Sequence, residues 1–146
     1  MKKKITKILL FMLPFMALVL ATTNNSVQLI NMTTGEKVTG SYFTMLNNSI
    51  VAICPVLAAF CSVASCLFAA VFLFKKKWGI LRIAAWVSFA GACIAVIPVA
   101  VRGQELMLPH VLFPIFLMGH FILCAFAKKM DITVKDEPRG RRLERH

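Results

Sequence analysis

The sequence predicts an all-α membrane protein: a four-span antiparallel transmembrane helix bundle with a small extracytoplasmic β-hairpin between spans 1 and 2. Three observations predict it. The chain of 146 residues is 59% hydrophobic with a mean hydropathy of +0.77, above the roughly 45–50% apolar share of soluble domains. Its apolar residues gather into four segments, about 8–23, 50–74, 80–101 and 106–127, and about 20 such residues cross the hydrocarbon of a bilayer. Its basic residues, finally, sort by side of the membrane.

Span 1 lies in "MKKKITKILLFMLPFMALVLATTNN". A basic start, an apolar centre and small residues at Val19 and Ala21 also satisfy the recipe for a secretory leader. Thr22 and Thr23 are cheap to submerge and extend the segment to a thin span, so an uncleaved anchor is the favoured reading and cleavage after Ala21 the alternative. Both put the next segment outside.

That segment carries strand signals. Val27 to Met32 is apolar and β-favouring, "TTGE" supplies a Gly-containing turn, and Lys37 to Thr44 holds Val38, Thr39, Tyr42, Phe43 and Thr44. The pattern reads as a hairpin over about 26–44. An isolated hairpin is marginal in water, so it is expected to rest on the helix ends or pair with another chain.

Spans 2 and 3 are joined by "KKKWGILR". Basic residues flanking spans are retained in the cytoplasm. With the N-terminus, the Lys75–Arg82 turn and the tail inside, only Lys37 and Arg102 of the 17 basic residues lie outside. The lysine run is therefore a topological stop. The same distribution accounts for the formal charge of +11 without nucleic acid as a partner. Residues 128–146 mix both signs around Pro138 and Gly140 and read as a disordered cytoplasmic tail.

Within the spans, Ala58, Ser62, Cys66 and Ala70 recur at four-residue spacing on span 2, as do Ala84, Ser88 and Ala92 on span 3. Positions four apart share a helix face, and small faces let membrane helices approach closely, within one chain or between copies. Pro55, Pro98, Pro109 and Pro114 fall in the outer halves of their spans, with Pro14 near the middle of the first. Each interior proline frees a carbonyl one turn back, which suggests a splayed outer vestibule or the ordinary proline content of membrane helices.

Chemistry-bearing residues are few. Five cysteines without a Cys-x-x-Cys pair indicate neither a redox motif nor a zinc cluster, and the spans hold no Asp or Glu. Ser62, Ser65 and Ser88 have no acidic or Gly-x-Ser-x-Gly context, so no catalytic residue, metal or cofactor is assigned and an enzyme is not expected. Arg102 and Glu105, in "VRGQELMLP", read as a surface ion pair of little energetic weight or as a substrate clamp. His120 is the titratable residue deepest in a span, about 12 Å from Lys128 at 1.5 Å per residue. The same depth counted from Lys75 and Arg82 reaches Ser65, Cys66 and Ser88. It reads as a structural hydrogen-bond partner of a serine on span 2 or 3, or as a ligand or proton site.

The functional expectation is a non-enzymatic interaction or accessory subunit presenting the outer hairpin. The alternative is an oligomeric small transporter or channel with a proline-lined vestibule. Its partners are the lipid bilayer and either another membrane protein or further copies of itself. The very short, Lys-rich N-terminus points to a bacterial plasma membrane. In intact cells an impermeant thiol reagent is expected to label a cysteine probe placed at Gly35 and to miss one at Gly79, in a background without native cysteines. Labelling at Gly79 would contradict the topology.

Overall fold

The computed structural model describes residues 2–23, 27–30, 35–43, 50–102 and 108–127. Four helices dominate it: α1 (Lys2–Thr22), α2 (Ile50–Lys75), α3 (Trp78–Arg102) and α4 (Leu108–Ala127), with strands β1 (Val27–Ile30) and β2 (Lys37–Gly40) between α1 and α2. All four helices are long and apolar enough to cross a membrane, and together they form a membrane-embedded helix bundle. Each helix packs on the next and α4 returns to α1, so the bundle closes on itself.

The helix bounds depart from the apolar runs in a physically simple way. Helix α1 begins at Lys2 rather than near residue 8, because charge ends a hydrophobic segment without ending the backbone ladder. At its other end the Thr22 and Thr23 hydroxyls donate to the carbonyls of Val19 (2.9 Å) and Leu20 (2.7 Å), satisfying last-turn acceptors. The helical part of the fourth segment starts at Leu108, which places Pro109 in the first turn, where its missing N–H costs nothing. The tail, Glu105, and the residues between Ile30 and Gly35 lie outside the described residues.

Between α2 and α3 the chain turns on two residues. Lys76 adopts a left-handed conformation (φ 52°), and its N–H donates to the Phe72 carbonyl at 2.8 Å, closing α2 with a single αL cap. A lysine there accepts a backbone cost of about 1–2 kcal/mol, and it sets a cation at the negative end of the helix dipole. The Ile80 N–H, bonded to the Lys77 carbonyl at 3.1 Å, opens α3.

Strands β1 and β2 pair antiparallel, with Val27 opposite Gly40 and Ile30 opposite Lys37. The second strand stops at Gly40, short of the Thr44 expected from its β-favouring residues. Tyr42 and Phe43 instead fold onto the bundle. The Tyr42 N–H donates to the Ala21 carbonyl at 3.1 Å, its ring stacks on Phe113 of α4 with centroids 4.6 Å apart, and Phe43 meets Phe60 of α2 edge-on at 6.0 Å. Burial of two aromatic rings outweighs two further residues of strand pairing.

Inside, the packing follows a seam of alternating three- and four-residue steps. On α4 the buried residues are His110, Phe113, Leu117, His120, Cys124 and Ala127, the spacing of left-handed helix packing. On α2 and α3 the seam is built from small residues, Ala58, Ala59, Ser62, Ser65 and Ala69 facing Ala84, Ala85, Ser88, Ala92 and Ala95, all buried. Large apolar residues such as Phe74, Leu67 and Trp86 point outward, as a lipid-facing surface requires.

The closest approach is at Gly91. A Cβ there would sit 2.7 Å from Cys61 Cβ and 3.1 Å from Leu117 Cδ1, whereas one at Gly79 meets nothing within 4 Å. Gly91→Ala is therefore expected to lower the thermal stability of the detergent-solubilised protein, at the roughly 1–3 kcal/mol typical of overpacking. Gly79→Ala should leave it unchanged or raise it by up to about 1 kcal/mol. Equal stability of the two variants would mean that α2, α3 and α4 do not meet at this point.

Candidate functional site

The bundle interior is divided into two apolar clusters. One gathers Ala17, Ala58, Ala92, Phe113 and Leu117 with Tyr42, and the other Leu10, Phe72, Leu81, Ala84 and Cys124. Between them lies a polar layer of Ser65, Ser88 and His120, none of which has any solvent exposure. Ser88 Oγ on α3 is 2.8 Å from Ser65 Oγ on α2 and 2.7 Å from His120 Nδ1 on α4. His120 Nε2 lies 3.3 Å from Cys124 Sγ one turn along α4.

Helix α1 joins through its backbone. The His120 ring hydrogen-bonds the backbone of Leu10 on α1, and the reason that backbone is accessible is Pro14, inside α1. In an uninterrupted helix the N–H of residue 14 would occupy the carbonyl of residue 10; proline has no N–H to give. A carbonyl left bare among apolar side chains costs several kcal/mol. The His120 Nε2–H removes that cost, so the proline on α1 and the histidine on α4 are complementary halves of one interaction.

Ser88 is the central member of this chain, between the Ser65 hydroxyl and the His120 ring, and whether it donates to or accepts from Nδ1 follows the tautomer of the ring. Each hydroxyl carries one proton and reverses by rotation. The Ser88–His120 contact has the length of a nucleophile–base pair, but an acyl substrate has no route to a fully buried Oγ, and a backbone carbonyl rather than a carboxylate orients the ring. The node holds helices together and has no features of a hydrolase centre.

Other residues singled out from the sequence lie apart from the node. Ser62 is buried but donates to the Ala59 carbonyl of its own helix at 2.7 Å. Arg102 is the last residue of α3, and its pairing with Glu105 falls outside the described residues. All five cysteines are unbridged.

A second buried polar pair went unnoticed in the sequence because half of it lies outside the spans. Tyr42 and His110 have ring centroids 6.3 Å apart, and the Tyr42 hydroxyl and both His110 ring nitrogens have no hydrogen-bond partner among the described residues. Burial pushes the Tyr42 hydroxyl well above its ordinary range, so it remains a neutral phenol. Comparison with protein-family models, with curated proteins and with solved structures yields no match, so the functional reading rests on this geometry.

Proposed function

We propose that this chain is a non-enzymatic accessory subunit of a membrane complex and presents its β1–β2 hairpin to a partner protein outside the membrane. In this reading the four spans run antiparallel through a bacterial plasma membrane with both termini in the cytoplasm, following the distribution of basic residues.

One observation carries the reading: the segment that follows β2 is rooted in three helices. Tyr42 is tied to the end of α1 by a backbone hydrogen bond and to α4 by ring stacking, and Phe43 abuts α2. A two-stranded sheet has an open backbone edge on each side, suited to strand addition by a partner. Holding such a sheet in place lowers the ordering cost of docking. The node at Ser65, Ser88 and His120 supports the same reading, since its polar atoms are committed to helix–helix contacts.

Extraction in mild detergent followed by mass measurement of intact complexes tests the proposal. The expected result is a fixed hetero-partner, with its yield reduced at least tenfold by Tyr42→Ala while the bundle stays folded. A homo-oligomer without other subunits would contradict it and favour the alternative, an oligomeric transporter or channel with a proline-lined outer vestibule.

A further inference from the structure

The chain has two tryptophans, and both stand on one stripe of α3 with a cation between them: Trp78, Arg82 and Trp86 are four residues apart and share a face. Across from them α4 contributes Phe121 and Ala125. Together with Ala85 these residues line a crevice of about 500 Å³, within the range of small-molecule sites, roughly 300–1,000 Å³. Its floor is Cys124, whose sulfur touches His120 of the polar node. Trp86 is 62% exposed at the rim.

Arg82 has no acidic partner among the described residues. Glu36, beside the strands, is the one carboxylate among the described residues, and the walls around the guanidinium are apolar and aromatic. Lys75, Lys76 and Lys77 lie exposed on the adjoining turn and add to the positive charge at this end of the bundle. Tryptophan belongs at the depth where a bilayer changes from hydrocarbon to headgroup, and a guanidinium binds phosphate through a planar, bidentate fork. The crevice therefore offers an apolar slot at hydrocarbon depth with a cation at headgroup depth that no described carboxylate pairs.

We propose that this crevice is a binding site for an anionic phospholipid, with the phosphate on Arg82 and one acyl chain lying along the apolar wall formed by Trp86, Phe121 and Ala125. Charge complementarity selects the occupant: a zwitterionic lipid brings its own cation to a crevice that already holds Arg82, beside a turn that carries three lysines. The site depends on the chain being embedded in a membrane and is independent of the accessory role proposed above.

Because the two tryptophans both line the crevice, intrinsic fluorescence reports on it directly. The full-length protein is titrated in mixed micelles with phosphatidylglycerol or phosphatidylcholine carrying brominated acyl chains, which quench nearby indoles. Phosphatidylglycerol is expected to quench at a mole fraction at least five-fold lower. Five-fold corresponds to the approximately 1 kcal/mol of one basic group near a charged surface. Arg82→Gln should abolish that preference, Lys76→Gln should retain most of it, and Ala125→Phe should weaken quenching by both lipids by filling the slot. Equal quenching by the two lipids in the wild type would overturn the site. So would an equal loss of preference in Lys76→Gln and Arg82→Gln, which marks diffuse surface attraction, or undiminished preference in Arg82→Gln.

Discussion

A hydrocarbon solvent offers no hydrogen bonds, so every carbonyl that a membrane helix gives up must be met by another part of the protein. In this chain Pro14 makes that demand at Leu10, and His120 answers it across the bundle. The rest of the interior follows from the answer. A ring nitrogen fixed on α1 leaves Nδ1 pointing at α3, where Ser88 meets it, and Ser88 needs a second polar contact, which Ser65 supplies from α2. One freed carbonyl thus fixes the depth and rotation of four helices. The net energy of each interhelical bond is small, on average about 0.6 kcal/mol. Specificity comes instead from the cost of any register in which one of these groups has no partner.

Small residues are what allow the node to close. Hydroxyls on neighbouring helices reach one another only if the backbones come near, and the seam above and below the node is mostly alanine on α2 and α3, with Gly91 at the tightest point. Bulk is moved to the outer surface, where lipid accommodates it, and to the two ends of the interior, where Phe72 and Phe113 close the apolar clusters. The polar layer and the small seam are two aspects of one packing solution, and the node's burial excludes the solvent that would otherwise compete for its bonds.

The four helices were legible in the sequence because hydropathy at span length is a strong signal. The level shared by His120, Ser65 and Ser88 was also legible, since counting 1.5 Å per residue inward from flanking charges works wherever helices run straight. Ser62 lies on the same small stripe, and nothing in its spacing showed that its hydroxyl turns back to Ala59. The partner of His120 on α1 was hidden for a deeper reason: it is a backbone atom, and sequence names side chains. Pro14 announced that a carbonyl was free without saying which helix would fill it. Tyr42 read as a strand residue because β-propensity and aromatic burial favour the same residue types, and Arg82 read as a topology marker until Trp78 and Trp86 appeared beside it on one face.

The complementarity of Pro14 and His120 is tested most directly by a double-mutant cycle, with unfolding free energies measured for wild type, Pro14→Ala, His120→Leu and the double variant in one detergent. His120→Leu leaves the Leu10 carbonyl bare, and Pro14→Ala returns an N–H to it from its own helix. The account predicts that Pro14→Ala recovers much of the stability lost in His120→Leu, a coupling of at least about 1 kcal/mol, beyond the roughly 0.3–0.5 kcal/mol within which independent sites add. Additive losses would contradict it.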